Sequence, residues 1–379
     1  MDARMRVRYW LKLVIGNVSI AIAILLSLNL VAALLYDGRE VLEKTFVPVS
    51  EKASQASLED QEQARTIFRE FSQLTTRYVP YVAWSREPFR GELTTVNDEG
   101  DRVHTSTTSS PRGHVRFFGG STVWGKGVPD NDTIPAYFDR LHPEHSAYNH
   151  GESGFVSRQS VARLVNLINQ DTPTDLVVFY DGCNDLYTLC RSDISINGHS
   201  RETKIARRVT PSSMVADAMT GALSEVILWA WGRSGHAKGP DSRCRTAEYA
   251  EQVARTLVNN WKAAHALAES VGAEFHAVLQ PLAATGRANL SYMPGMLDSS
   301  DNRLHDYRTV YPLVQDLIRE EQVDWMHDFS DVFDSDEKIY IDGCHVNDRG
   351  NAIVANRMNT TFGVAWAAGF ESSIESSLR

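Results

Sequence analysis

The sequence lacks the short motifs that mark several large enzyme classes. It has neither a Walker-type phosphate loop nor a dinucleotide fingerprint, and its four cysteines show none of the spacings of a zinc site. The Gly-x-Ser-x-Gly elbow of α/β-hydrolases is also missing. The missing elbow argues against an α/β-hydrolase, and the other absences agree with an activity that needs neither a metal nor a cofactor.

The sequence also lacks a basic stripe with interleaved aromatic residues, and its formal net charge is -10. A surface of that charge repels the phosphates of nucleic acid. We therefore exclude nucleic acid as a partner. Internal repeats and low-complexity tracts are absent as well, and 379 residues suffice for one large α/β domain with an appendage.

Charged residues are missing between Leu13 and Tyr36, a run long enough to cross a bilayer as a helix. Basic residues precede this run, whereas charges of both signs follow it. The positive-inside rule then predicts a cytoplasmic tail over residues 1–12, a transmembrane anchor over 13–36 in contact with lipid, and a periplasmic or extracellular remainder. A cleaved signal peptide is the competing interpretation, although the run is longer than usual and lacks a clear Ala-x-Ala site.

The four cysteines allow three disulfide pairings on the outer side of a membrane, which the sequence does not separate. Cys190 and Cys244 flank the least patterned part of the chain, so a disulfide between them would close that insertion. Cys183 and Cys344 are either small buried thiols or a second pair.

Between the anchor and the main domain, residues 37–110 are expected to form a juxtamembrane region. Apolar residues at helical spacing predict an amphipathic helix from about residue 50 to 78. A hairpin over residues 81–102 and a polar linker follow. The main domain is then expected over residues 111–379, with an insertion near 191–241.

From about residue 111 onward, short apolar runs alternate with amphipathic ones. This alternation predicts a parallel sheet covered by helices on both faces. The expected strands are 115–118, 147–150, 176–180, 275–279 and 323–327. The expected helices are 134–141, 157–169, 246–270 and 304–321, with a last helix after Asp348.

The insertion interrupts this alternation and carries an apolar stripe at helical spacing. Three functional interpretations stay open: a lid, a contact for an acyl chain, or a patch on the membrane surface. Packing of the inserted helix against the protein core is the favoured alternative. The stripe comprises Met214, Val215, Ala218, Met219, Ala222, Leu223, Val226, Ile227 and Trp231.

Four segments place chemically useful groups where the predicted strands end. Ser121 follows the first strand, Gly154 the second and Asn184 the third, while Asp342 and His345 precede the last helix. Ligands of parallel sheets gather at this carboxyl edge. The order therefore supplies a serine nucleophile, two oxyanion donors, and a base with the carboxylate that orients it.

The DxxH spacing predicts that Asp342 bonds one imidazole nitrogen of His345 while the other points at the Ser121 hydroxyl. The backbone N–H groups of Ser121 and Gly154 and the side-chain amide of Asn184 would receive the charge on a carbonyl oxygen. Taken singly, each motif has an ordinary interpretation as a turn, a helix cap or a surface pair. Four placements in the right order are hard to ascribe to chance.

Several other residues are set aside. The histidines at 142, 145 and 150 lack ligand spacing and are interpreted as surface or loop residues. Ser153 and Ser157 suit loop and helix-start positions, and Asp328 and Asp331 are expected to orient the loop after the fifth strand.

Together the four segments resemble the blocks of the SGNH/GDSL hydrolase superfamily, over roughly residues 113–367 with the insertion excluded. By position, Ser121 matches the nucleophile, Gly154 and Asn184 the oxyanion donors, and Asp342 and His345 the rest of the triad. The resemblance implies a flavodoxin-like three-layer αβα sandwich with esterase, lipase, acetyl-ester hydrolase or acyltransferase activity. The Gly-Asp-Ser-Leu of the first block is Gly-Gly-Ser-Thr here, which affects anchoring of the loop more than the nucleophile.

The sequence thus predicts a membrane-anchored serine esterase without cofactor or metal, acting on O-acetyl or other short acyl esters, with acylated envelope glycans as the substrate suggested by analogy. Two alternatives remain: an O-acyltransferase with the same triad, and a non-enzymatic envelope scaffold. Because a protonated imidazole cannot accept the serine proton, we expect activity to fall below about pH 6.5.

Overall fold

The structure of the chain is a computed structural model. The structure describes residues 3–46, 61–106, 108–210, 219–224, 226–227, 241–296 and 302–363. The chain forms two compact units, one from residues 1–47 and 201–240, the other from residues 48–200 and 241–379.

The first unit contains the long helix α1, Ala3–Phe46. Its stretch Arg8–Leu35 is long and apolar enough to cross a membrane, and most of its side chains are exposed. The predicted anchor, residues 13–36, therefore lies in a helix of suitable length. Helical residues of the insertion at 219–224 and 226–227 belong to the same unit.

A five-stranded parallel sheet is the centre of the second unit. Its strands are β5 (Gly113–Gly119), β6 (His145–Asn149), β7 (Leu176–Asp181), β8 (Glu274–Leu279) and β9 (Met326–Asp328). They lie in the order β6-β5-β7-β8-β9, and every neighbouring pair is parallel. Counted along the sheet, this is the 2-1-3-4-5 order of flavodoxin-like folds, as predicted.

Helices cover both faces of the sheet and complete a three-layer αβα sandwich. The helices of the second unit are α2 (Gln61–Gln73), α3 (Ser121–Trp124), α4 (Ile134–Leu141), α5 (Ser157–Ile168), α6 (Cys183–Cys190), α8 (Ala247–Glu269), α9 (Asn302–Glu321) and α10 (Asp348–Met358). Helix α7 (Glu202–Val209) belongs to the first unit. One face of the sheet packs against α5, α6, α8 and α9, and the other against α4 and α10.

The two faces are built from alternating residues of the same strands. On β5, Phe118 packs into one apolar cluster and Phe117 into the other, and both side chains are fully buried. Successive side chains of a strand point to opposite faces, so a strand buried on both sides needs a continuous apolar run. This is why the short apolar segments of the sequence identified the strands correctly.

The segment before the sheet differs from its prediction. Helix α2 ends at Gln73, whereas the helix was predicted to reach about residue 78. Residues Thr76–Val79 instead form β1, which pairs with β2, Ala83–Arg86. Pro80 disfavours helical conformation at the residue before it, and β-branched residues suit a strand. Residues 50–60 of the predicted helix lie outside the described residues.

In place of the single hairpin predicted over residues 81–102, the structure has two short antiparallel pairs, and the first of them begins before residue 81. The first is β1 with β2, and the second is β3 (Phe89–Arg90) with β4 (Thr95–Val96). Isolated bridges continue the second pair through Arg102 to Asn149, at the end of β6. This segment therefore pairs directly with the edge of the main sheet.

The insertion is closed at its base by a disulfide between Cys190 and Cys244, which lie 54 residues apart. Within the stripe predicted for the insertion, Met219, Ala222, Leu223, Val226 and Ile227 are helical. Four other members of that stripe lie outside the described residues: Met214, Val215, Ala218 and Trp231.

Candidate active site

The nucleophile candidate lies at a turn between β5 and the short helix α3. Gly119 ends the strand, and a Cβ added there would lie 2.4 Å from the backbone oxygen of Tyr180 on β7. Only glycine permits this approach of two strands, so the Gly-Gly before Ser121 has a structural cause. Ser121 is the first residue of α3 and lies at the carboxyl edge of the sheet.

The structure brings Ser121, His345 and Asp342 together in a hydrogen-bonded chain. His345 Nε2 lies 2.6 Å from Ser121 Oγ. His345 Nδ1 lies 2.8 Å and 2.7 Å from the two carboxylate oxygens of Asp342. Ser121 and His345 are each 8% exposed, so the contact is largely shielded from water. This is the geometry in which an imidazole can take the serine proton.

The loop between Asp342 and His345 is preorganised by the carboxylate itself. Asp342 Oδ1 accepts hydrogen bonds from the backbone N–H groups of Cys344 at 3.1 Å and of His345 at 3.0 Å. Burial raises the pKa of Asp342, but the charge of His345 and its hydrogen bonds outweigh burial and hold this pKa well below its usual range. The carboxylate therefore stays ionised and keeps the imidazole oriented.

Asn184 lies between the Ser121 segment and the Gly154 segment. A Cβ added to Gly120 would lie 2.3 Å from Asn184 Nδ2, which shows how closely the amide approaches the residue before Ser121. The same Nδ2 donates a 2.8 Å hydrogen bond to the backbone oxygen of Phe155, next to Gly154. A side-chain amide has two N–H donors, so one can serve a substrate oxygen while the other fixes the side chain.

Gly154 occupies the loop after β6 with a φ of +81°, which favours glycine. The position of its missing side chain lies 3.5 Å from Ser200 Oγ and 3.7 Å from the ring of Trp84. Trp84 also packs edge-on against Phe155, with 5.3 Å between ring centroids. The strand β2 thus supports the loop that carries this predicted oxyanion donor.

A buried ion pair fixes the same loop, and sequence reasoning missed it. Arg86 Nε lies 3.0 Å from Glu152 Oε1, with side-chain exposures of 8% and 0%. Glu152 also accepts a 2.7 Å hydrogen bond from the backbone N–H of Ser153. The two charges lie 66 residues apart in sequence, and no local pattern connects them.

Arg102 is a second residue that the sequence did not reveal. Its guanidinium donates to the backbone oxygens of Trp124, Gly125 and Val128 at 3.0, 2.6 and 2.7 Å. It also pairs with Asp130 at 2.8 Å. The last carbonyls of a helix lack partners within the helix, so Arg102 satisfies the end of α3, whose first residue is Ser121.

Asp185, directly after Asn184, joins the third motif to the second. Its Oδ1 accepts hydrogen bonds from the backbone N–H of Ser157 at 2.8 Å and from Ser157 Oγ at 2.5 Å. Burial raises the pKa of Asp185 to about 6. The Ser157 hydroxyl also accepts from Asn260 at 2.9 Å, so this serine has a structural place at the start of α5, as expected.

Neither remaining cysteine is in a disulfide. Cys183 is buried with its Sγ 3.3 Å from the Tyr307 hydroxyl, and Cys344 is partly buried. A hydrogen bond with Cys183 raises the pKa of Cys344 well above its ordinary value, and burial adds to this. The Cys344 thiol beside His345 is therefore protonated at neutral pH and does not compete with Ser121 as nucleophile.

The three histidines interpreted as surface or loop residues are buried, so none of them is a surface residue. His142 and His150 do lie in loops, whereas His145 begins β6. His150 lies 2.9 Å from Asp101 and 3.1 Å from Arg116. The ligand atoms of His142, Glu144 and His145 lie within 4.8 Å of one another, as do those of Asp342, Cys344 and His345. In the group of Asp342, Cys344 and His345, Nδ1 of His345 is hydrogen-bonded to Asp342 and Nε2 to Ser121. Both imidazole nitrogens therefore belong to the serine–histidine–aspartate chain.

The fold and the site define a flavodoxin-like αβα sandwich that carries a serine–histidine–aspartate arrangement at the carboxyl edge of its sheet. No family model and no curated protein sequence matches the chain. Solved structures do match it, among them GDSL-type lipolytic proteins and acetylesterases.

One match is a lipolytic protein of the G-D-S-L family from Veillonella parvula, 15% identical, covering 66% of this chain and 98% of its own, with a TM-score of 0.37. A carbohydrate acetylesterase family member from Sinorhizobium meliloti is 17% identical over 66% and 99%, with a TM-score of 0.37. An acetylxylan esterase from Geobacillus stearothermophilus is 15% identical over 68% and 97%, with a TM-score of 0.35.

Proposed function

We propose that the protein is a serine esterase that hydrolyses carboxylic esters through an acyl-enzyme intermediate on Ser121. The observation that carries the proposal is the 2.6 Å contact between Ser121 Oγ and His345 Nε2, with Asp342 on the other imidazole nitrogen. Serine is a weak nucleophile until a base removes its proton, and this arrangement supplies that base.

In the first half of the reaction, Ser121 Oγ attacks the carbonyl carbon of the ester while its proton passes to His345 Nε2. The new imidazolium is stabilised by the Asp342 carboxylate, 2.7 Å from Nδ1. The carbonyl oxygen becomes negatively charged and is received by the N–H groups of Ser121, Gly154 and Asn184. Each such donor contributes about 3 kcal/mol to lowering the barrier in well-studied hydrolases.

The tetrahedral intermediate collapses when His345 returns the proton to the leaving alcohol, and the acyl group stays on Ser121. Water then takes the place of the alcohol, gives its proton to His345 and attacks the acyl carbon. Collapse of the second intermediate releases the free acid and restores the serine hydroxyl. The cycle needs no group beyond the residues already named and water.

The second part of the proposal is that α1 anchors the protein in a membrane with the catalytic unit on the outer side. It rests on the apolar stretch Arg8–Leu35 and on the basic residues that precede position 13. An outward-facing esterase meets O-acyl groups on cell-envelope glycans, and short acyl esters of this kind are the substrate class we propose.

The proposal is tested with p-nitrophenyl acetate, butyrate and palmitate, assayed on the full-length protein in detergent and on Ser121→Ala. We expect hydrolysis of the short esters, with a loss of at least about 10³-fold in Ser121→Ala. Ser153→Ala, a serine in the loop of Gly154, is the matched control and should retain most activity. Equal rates for wild type and Ser121→Ala would contradict the assigned nucleophile.

O-acyl transfer uses the same acyl-enzyme and differs only in the acceptor of the second step. Incubation with an acyl donor and a soluble glycan acceptor, followed by mass spectrometry, separates the two activities. Release of free acid alone indicates the esterase, and acylated glycan in excess of free acid indicates the transferase.

A further inference from the structure

We propose that the insertion between the two halves of the catalytic unit is a second membrane contact, which binds the lipids of the outer leaflet beside the anchor. The contact consists of helix α7 and of the insertion helix, defined as residues 219–224 and 226–227. This inference rests on the proposed role of α1 as the anchor. All observations that carry it lie within the first compact unit.

The insertion helix touches α1 inside its apolar stretch. The backbone N–H of Leu223 donates a 3.0 Å hydrogen bond to Asn29 Oδ1. Ala32, one turn further along α1, is 3% exposed, whereas Leu30 and Leu34 are 63% and 66% exposed. A polar side chain in a span is costly in lipid and is usually directed at a protein partner. Asn29 has such a partner in the insertion.

The position of Asn29 places this contact in the outer half of the bilayer. Asn29 lies six residues before Leu35, the end of the apolar stretch, which is about 9 Å along a helix. Half of a hydrocarbon core is about 15 Å thick. Both ends of the insertion join the catalytic unit, which follows the outer end of the anchor. The chain order and the position of Asn29 therefore both place the contact on the outer side of the bilayer.

Charge and exposure around the insertion helix match a membrane interface. Arg201, Lys204, Arg207 and Arg208 lie in or next to α7, and Arg233 and Lys238 follow the apolar segment. Basic residues at both ends are attracted to lipid phosphates. Val209 is 70% exposed and Ile227 51% exposed, as side chains in contact with lipid would be in the isolated chain.

The same segment is not suited to crossing the membrane. In the sequence, Asp217 lies two positions before residue 219 and Glu225 falls between the two described stretches, and carboxylates in the middle of a bilayer are expensive. A segment with an apolar stripe, basic ends and a few acidic residues instead lies in the interface plane. We therefore assign it to the headgroup and upper acyl region and not to a second span.

The test places the photoreactive residue p-benzoylphenylalanine at Ile227 of the full-length protein, reconstituted in vesicles of phosphatidylcholine and phosphatidylglycerol. After irradiation, proteolysis and mass spectrometry identify peptides that carry a phospholipid. Ile22, 41% exposed in the anchor, is the positive control, and Val271, 44% exposed in the catalytic unit, is the matched negative control. Val209 carries the probe in a fourth variant, in case substitution at Ile227 disturbs the insertion helix.

We expect lipid adducts at Ile22, Ile227 and Val209, with at least about tenfold less at Val271. Adducts at Ile22 without adducts at Ile227 or Val209 would overturn the inference and leave the anchor intact. An absence of adducts at Ile22 would overturn both the anchor and the inference. Esterase activity measured in the same vesicles reports on Ser121 separately from either outcome.

Discussion

At the scale of single residues, the ionised carboxylate of Asp342 controls the proposed base. Its oxygens contact the imidazole of His345 and two backbone N–H groups of the same loop. The pKa of Asp342 is held well below its usual range, because the charge and hydrogen bonds of His345 outweigh the opposing effect of burial. A depressed carboxyl pKa stabilises the fold above the unfolded value of about 4 and loses this contribution only in stronger acid.

This ionisation predicts the shape of the pH profile. Between about pH 5 and 8 the carboxylate of Asp342 does not change its charge, so it adds no ionisation of its own to the acid limb of the profile. We expect log kcat/KM to fall with a slope of one as the pH is lowered in this range. A slope of two, or a profile that stays flat to about pH 5, would contradict the assigned roles.

Gly120 tests the closeness of Asn184 to the nucleophile. In Gly120→Ala the new Cβ would lie 2.3 Å from the present position of Asn184 Nδ2, so the amide must move. Loss of one oxyanion donor lowers kcat by about 10²-fold or more. Steady-state kinetics should show this loss mainly in kcat.

Gly343→Ala is the control for that experiment. It adds the same methyl group in the loop between Asp342 and His345, where nothing lies within 4 Å of the new Cβ. We expect a much smaller loss of kcat. Equal losses in the two variants would mean that the effect at Gly120 comes from general disturbance of the site and not from Asn184.

That Ser121, Asp342, His345 and Asn184 lie close together was predictable, because each follows a recognisable strand or precedes a helix in a short motif. The residues that fix them were not. Arg86 reaches Glu152 and Arg102 reaches the end of α3 across long stretches of sequence. Such contacts depend on tertiary packing, and a buried arginine has no local signature.

At the scale of secondary structure, helix α3 is short and depends on groups outside itself. Arg102 is 2% exposed and is held by three backbone carbonyls and by Asp130. Arg102→Met would leave Asp130 without this partner and would remove the guanidinium donors from the three carbonyls. Breaking a buried pair in this way costs about 3–5 kcal/mol. We expect a loss of that order in the free energy of unfolding in urea.

Arg191→Met is the matched control, because Arg191 pairs with Asp193 at a partly exposed site at 2.7 Å. Exposed pairs contribute about 0–1 kcal/mol. If both variants lose the same free energy of unfolding, the buried contacts of Arg102 at the end of α3 stabilise the fold no more than an exposed ion pair does. If Arg102→Met also lowers kcat under conditions where the variant is still folded, Arg102 positions Ser121.

The elements of the sheet were predicted to within a few residues, because strands buried on both faces carry continuous apolar runs between turn signals. Helix α4 was predicted at its observed bounds, Ile134–Leu141. The segment before the sheet was less regular. Its strands β3 and β4 are two residues each, and such short pairs are formed by packing on the sheet and not by periodicity.

At the scale of the whole molecule, the disulfide reports on the compartment. Cys190 and Cys244 close a loop across 54 residues of sequence, which corresponds to about 4 kcal/mol in the chain-entropy model. Disulfides persist on the outer side of membranes and are rare in the cytosol. We expect acid-quenched cells to yield protein with two alkylatable thiols, Cys183 and Cys344, and with Cys190 and Cys244 protected until reduction. Four free thiols would contradict an outward-facing catalytic unit.

Covalent labelling of Ser121 measures whether His345 activates this serine. Full-length protein is treated with a fluorophosphonate at about pH 8, and the adduct is located by peptide mass spectrometry. We expect one adduct per chain on Ser121, none in Ser121→Ala, and much slower labelling in His345→Ala. Labelling that is unchanged in Ser121→Ala, or a wild-type protein that takes up no label, would contradict this expectation.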